Sequence, residues 1–123
     1  MKLVAIIPGP PARWQRPRHV NGKTLTDEKM RAAKKHARAS MAVGALTSRW
    51  VVPTGPVRVE LEFVRARKPD STPDVDNLAK LPLDAANGLL WKDDAQVVEL
   101  RALKRRPVEG ETEHTRITVE VLS

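Results

Sequence analysis

Apolar and polar residues alternate over nine positions in Val57-Arg58-Val59-Glu60-Leu61-Glu62-Phe63-Val64-Arg65. A period of two is the signature of a strand with one buried face. Other segments are as readable. Lys2 to Ile7 is a short apolar run stopped by Pro8-Gly9-Pro10-Pro11, which predicts a buried strand. Residues 12–26 read as irregular and basic, with a turn at Asn21-Gly22. Met30, Ala33, Ala37, Met41 and Ala45 recur at helical spacing, so a helix is expected from a cap at Thr26 or Asp27 to about Thr47. Gly55-Pro56 marks a turn, and residues 66–75 form a charged, proline-containing loop. A second helix is expected over about 76–87, stopped by Asn87-Gly88. Gln96 to Lys104 and Thr115 to Leu122 read as strands joined by a polar connection through Arg105-Arg106-Pro107 and Glu109-Gly110-Glu111. The order β-α-β-α-β-β predicts an α+β fold, one mixed domain over residues 1–123 with the helices packed on one sheet.

Composition narrows the class. Hydrophobic residues make up 41% and charged residues 30%, which suits a folded domain. No apolar run approaches the roughly 18 residues of a membrane span, and the N-terminal apolar stretch is too short for a signal peptide. A cytoplasmic, unsecreted protein is therefore expected, bacterial or phage-encoded, with no membrane partner. The absence of cysteine excludes disulfides, thiolate metal sites and thiol catalysis. Aromatic residues are 3%, too few to stack a row of single-stranded bases.

Charge changes the picture more. The net charge is +7, and all of the excess lies early: residues 1–50 hold eleven basic and two acidic side chains, whereas residues 51–123 are slightly acidic. A polyanion is the natural partner, nucleic acid ahead of an anionic membrane. A merely solvated basic surface is the plain alternative.

The acidic half is organised. Asp74 and Asp76 flank a predicted helix start, and residues two apart in extended chain point to one side. Asp76, Lys80 and Asp84 follow at i, i+4 and i+8 on one helix face, with Leu78, Leu81, Ala85 and Leu89 on the core side. Asp93-Asp94 sits in the turn before the next strand. That turn reaches the helix start only if Leu89 to Lys92 reverses the chain, which Gly88 permits. Clustered carboxylates repel one another, and a divalent cation removes the repulsion. An all-oxygen set favours Mg²⁺, with Mn²⁺ able to substitute, over zinc. Such an ion polarises a phosphate, activates water and stabilises the leaving oxygen, and Lys80 could neutralise charge developing on the phosphate. Each piece also has a plain structural explanation: helix caps, a surface ion-pair ladder, solvated turn residues.

Asp74-x-Asp76-Asn77-Leu78-x-Lys80, Asp84-Ala85 and Trp91-x-Asp93-Asp94-Ala95-Gln96-Val97, with Lys104 at the end of the following strand, resemble the RusA family of Holliday-junction resolvases. The signature covers about residues 73–104, and the flanking strand, Pro-rich turn and basic Gln15-Arg16-Pro17-Arg18 agree more loosely. The resemblance implies a homodimeric, divalent-metal-dependent endodeoxyribonuclease that nicks opposing strands of a four-way junction in recombination and repair, without a small-molecule cofactor. It implies that the essential carboxylates are Asp74, Asp76 and Asp94, with Lys80 as the essential lysine. Asp93 lies beside the site as a lesser candidate ligand, and Asp84 reads as a supporting or structural residue. A two-fold dimer suits a substrate with approximate two-fold symmetry that needs paired cuts. Two features depart from the family pattern. Pro82 should kink or shorten the second helix, and the N-terminal basic loop has no Tyr. Arg13, Arg16, Arg18 and Lys23 are the first candidates for phosphate contacts, ahead of Lys29, Arg31, Lys34, Lys35 and Arg38 on the first helix. A non-catalytic protein binding branched DNA, and a general branched-DNA nuclease, are the competing readings.

Overall fold

In a computed structural model, which describes residues 1–15, 18–20, 23–25 and 28–122, and side chains only outside 16–27, the elements are β1 (Lys2–Pro8), β2 (Arg18–Val20), β3 (Lys23–Leu25), α1 (Glu28–Thr47), β4 (Val57–Val64), α2 (Val75–Ala86), a 3-10 turn (Asp94–Gln96), β5 (Val97–Arg105) and β6 (His114–Val121). The main sheet has the order β1-β6-β4-β5. β6 is antiparallel to both β1 and β4, and β4 is parallel to β5. The fold is the expected α+β arrangement.

Register explains the core. Leu3, Val119 and Val59 fall in one row across three strands, and Ala5, Ile117 and Leu61 in the next. All six are buried. Both helices pack on this face: α1 through Met30, Ala37 and Met41, α2 through Leu78, Leu81 and Ala85. Gly44 is where α1 crosses β1, and a Cβ there would stand 2.9 Å from that of Ala5. Trp91 and Phe63 are the largest fully buried side chains. α2 runs through Pro82 to Ala86 rather than stopping before it.

Two sequence expectations are corrected or fall outside view. Residues 12–26 are not wholly irregular, because β2 and β3 pair antiparallel, Arg18 opposite Leu25 and Val20 opposite Lys23. Three-residue strands within a basic segment carry too little alternation to be read. The Asn21-Gly22 turn and the Thr26 or Asp27 cap lie outside the described residues.

The other face of the sheet is charged. Arg58 pairs with Glu99 and Glu120, and Arg105 with Glu62 and Glu111, both at 2.6 Å. Arg105, and after it the backbone N–H of Val108, hold the Glu111 carboxyl down at about 2. The folded value lies below the ordinary 4.5, so this contribution is full above that range and is lost as pH falls through about 2. A carboxyl-carbon NMR titration should place the Glu111 midpoint near 2, and Arg105→Gln should return it toward 4.5.

Strands β4 and β5 are parallel neighbours joined by α2. This is a βαβ crossover, in which the loop entering the helix and the loop leaving it lie at opposite ends of the sheet. That fact governs where the carboxylates sit.

Candidate active site

Residues 65–74 connect the end of β4 to α2. Three backbone carbonyls of this loop are held by cations. Lys104 Nζ donates to Ser71 O at 2.8 Å and Pro73 O at 3.1 Å, and Arg65 Nη2 donates to Thr72 O at 2.8 Å. Lys104 can do this because it is the last inward-facing position of β5, opposite Phe63, where the sheet ends and the core gives way to the loop. The Thr72–Pro73 peptide is cis.

This loop delivers Asp74 to the start of α2. Asp74 has the extended dihedrals of an N-cap, φ −63° and ψ 156°, yet its side chain makes no capping hydrogen bond. Asp76 is in the first turn, and Lys80 is one turn further on the same face. All three are exposed. The positive end of the helix favours both carboxylates. An uncapped Asp74 weakens the reading that these residues merely finish a helix. Asn77, between them in sequence, accepts from Trp14 N through Oδ1 at 3.0 Å and donates to Trp14 O through Nδ2 at 3.3 Å. This reciprocal pair fastens the N-terminal basic segment to the turn that carries the carboxylates.

Asp93 and Asp94 are at the other end. Asp93 caps the 3-10 turn: its Oδ1 accepts from Ala95 N at 3.1 Å, and Gln96 Oε1 accepts from the backbone N–H of Lys92 and Asp93. Gln96 Nε2 donates to Pro53 O and Gly55 O, fixing the turn against the approach to β4. Asp94 Oδ1 accepts from Trp91 Nε1 at 2.9 Å, and the Asp94 side chain is otherwise exposed. The reversal after Gly88 therefore leads straight into β5 and does not carry the Asp pair back to the helix start. With α2 twelve residues long, Asp74 and Asp94 of one chain are roughly 20 Å apart. Among the described residues, no three His, Asp or Glu side chains stand close enough to hold a metal ion. One chain thus presents two incomplete parts: the pair Asp74 and Asp76 with Lys80, and a separate Asp94. The donors are hard carboxylate oxygens suited to a hard divalent cation, but a single chain does not gather them.

The remaining predicted residues divide as follows. Asp84 pairs with Lys34 of α1 at 2.8 Å, and Arg38 caps the end of α2 by donating to Ala85 O and Asn87 O at 2.9 and 3.1 Å. Asp84, Lys34 and Arg38 thereby join the two helices. Arg13 is exposed beside the 65–74 loop. Arg16 and the side chains of Arg18 and Lys23 lie outside the described residues. Trp50 ties its segment to the core by donating to Leu90 O at 2.9 Å.

Sequence reading assigned no role to Gln96 or Arg65. Asp93-x-x-Gln96 has the spacing of a capping box and could have revealed the first. Nothing in the sequence marks Arg65, at the end of an alternating strand, as buried.

Lys104→Met should keep the aliphatic packing but free two carbonyls from their donor. A loss of about 10–100-fold in nicking, with little change in junction affinity, is expected from a residue that positions Asp74 without touching DNA. A junction-binding isotherm beside a nicking time course checks it; an equal loss in both would place Lys104 on the DNA instead.

Comparison with known proteins adds the family. A segment of 37 residues, 30% of the chain, is 51% identical to the uncharacterized protein YqaN of Bacillus subtilis (strain 168), and that match spans 26% of the latter's length. The family model for endodeoxyribonuclease RusA matches residues 8–121, which takes in both carboxylate-bearing turns, the basic N-terminal segment and every strand of the sheet at least in part. A match over nearly the whole chain places this protein in the RusA endodeoxyribonuclease family.

Proposed function

We propose that residues 1–123 act as one cytoplasmic endonuclease domain that resolves four-way DNA junctions by paired nicks, using Mg²⁺, and that the working form is a homodimer. The observation that carries the reading is the placement of Asp74 and Asp76. Both are exposed, and Asp74 makes no capping hydrogen bond, at the carboxyl edge of the parallel strands, where open α/β sheets bind ligands. Family membership supplies the chemistry class: RusA proteins are endodeoxyribonucleases that act on branched DNA.

The separation within one chain supports a dimer. A second copy related by a two-fold axis can bring its Asp94 to the first copy's Asp74 and Asp76, and the reverse holds at the symmetric site. A divalent cation held among them supplies polarisation of the phosphate and an activated water. The chain's own part is to hold Asp74 rigid through Lys104 and Arg65, to aim Asp94 through Trp91, and to offer Lys80 to the phosphate. Asp93 stays a capping residue in this scheme. Arg13, with Arg16, Arg18 and Lys23, would track the backbone of the arms.

The direct test is nicking of a labelled synthetic four-way junction in Mg²⁺ or EDTA, by wild type and Asp76→Asn. Symmetric nicks present only with metal, and lost in the variant, are expected. Preferred cutting of linear duplex would point to a general nuclease. Tight junction binding without nicks in Mg²⁺ or Mn²⁺ would leave a branched-DNA-binding protein.

A further inference from the structure

Arg65 is 7% exposed, and its Nη1 atom has no hydrogen-bond partner. Among the described residues its one side-chain hydrogen bond is from Nη2 to Thr72 O, and its backbone N–H donates to Arg105 O. No carboxylate among the described residues forms an ion pair with it. A buried guanidinium with an unmet donor and no counter-ion is costly unless something else supplies the charge. What lies beside it is informative. Arg65 is part of the wall of a cleft of about 360 Å³, together with Arg13, Arg67, Thr72, Pro73 and Glu113. Arg13 and Arg67 are exposed. Three guanidinium groups against one carboxylate leave the cleft about two charges positive, and the Glu113 carboxylate is already engaged by Ala66 N at 2.7 Å. The guanidinium fork matches phosphate oxygens better than an ammonium does.

We propose that this cleft is a cradle for one DNA backbone phosphate next to the phosphate that is cut, with Arg65 as its buried anchor and Arg13 and Arg67 closing over it. The proposal rests on the nuclease reading for which phosphate is meant, but not for whether a phosphate binds. Its location gives it a role. Thr72 and Pro73 form one wall of the cleft and lead directly into Asp74. Arg65 already grips Thr72 O, so a phosphate bound at the same guanidinium is tied, two residues along the chain, to the carboxylate that meets the scissile bond. The cradle would set the register of the strand along the protein, as backbone contacts do in other complexes, while adding no base preference. It also supplies the counter-charge that no described carboxylate gives Arg65.

Two readouts test it, both in EDTA so that they score binding whether or not the protein cuts. In the first, methylphosphonates replace single phosphates of the junction one at a time. One position is expected at which this neutral group weakens wild-type binding about ten-fold, the scale of a lost charge-assisted contact. In Arg13→Gln/Arg67→Gln, the same replacement should cost less than about two-fold, because the partner charges are already gone. In the second, inorganic phosphate is titrated while the Arg65 Nε–H signal is followed by NMR, and a saturable shift is expected. Arg65→Gln is a further variant, but it also releases Thr72 O and can loosen the fold; the exposed Arg13 and Arg67 variants keep the test sound. No position whose cost depends on Arg13 and Arg67, together with an unmoved Arg65 signal, overturns the cradle. Failure of the nuclease reading shows separately, as absence of nicks when Mg²⁺ is added to the unmodified junction.

Discussion

Mixing two inactive variants should restore nicking. Asp76→Asn and Asp94→Asn each damage both sites of a homodimer. If each site takes Asp74 and Asp76 from one chain and Asp94 from the other, a mixed dimer holds one site with both lesions and one with neither. Random reassortment makes half of the dimers mixed, so about a quarter of wild-type sites return. Against a residual activity about 10²–10³-fold below wild type in either variant alone, that is a gain of about 25- to 250-fold. The measurement is junction nicking before and after the variants are co-refolded or allowed to exchange. The products should be single nicks rather than paired ones, since a mixed dimer holds one working site. If the mixture stays as inactive as its parents, Asp94 does not complete the partner's site and the two-chain arrangement is wrong.

Asp74→Asn should abolish cutting while sparing binding. The side chain is exposed and makes no capping bond, so stability should change by less than about 0.5 kcal/mol. Cutting should fall at least about 10²–10³-fold, as expected when a group that handles charge at the reacting phosphate is lost. Junction affinity should hold or rise a few-fold, because one charge that repels DNA is gone. Thermal melting, a binding isotherm and a nicking time course on the same preparation separate these effects. Unchanged cutting would remove Asp74 from the site. Binding lost in step with cutting would mean that Asp74 shapes the loop rather than the chemistry.

The strand and helix order was legible because each main element has a readable pattern, cleanest in β4 and α2. Val57 to Val64 alternates, and Leu78, Leu81 and Ala85 keep helical spacing; most of the expected inward residues are buried, while Ala33, Ala45 and Leu89 are half-buried. The pairing of strands was not legible. β4 looks the same in sequence whether its neighbour runs parallel or antiparallel, and only the parallel choice sends Asp94 to the far end. Local sequence therefore places Asp74, Asp76 and Lys80 at the start of one helix, within its first two turns, because short-range geometry fixes them. It leaves the relation of that helix start to Asp94 open, because a long-range crossover decides it. Lys34, Lys80 and Asp84 show the same limit: spacing offers an Asp84–Lys80 pair, whereas packing of α1 against α2 gives Asp84 to Lys34. Lys104 stood in the signature as a supporting residue of uncertain role, but what it holds, and Arg65 altogether, were hidden for a related reason. Their partners are backbone carbonyls, which no side-chain pattern records.

The crossover between β4 and β5 also bears on the safety of carrying such an enzyme. If each cutting centre is shared between two chains, as proposed from the acidic groups at opposite ends of the sheet, a lone copy has no complete one. Below the concentration at which copies pair, the yield of working enzyme falls with the square of the amount made. A cell with a few stray molecules would keep its chromosome unscarred. The same cell, once expression passes that threshold, would gain an activity that arrives already in matched twos, as a junction requires if both strands are to be released together.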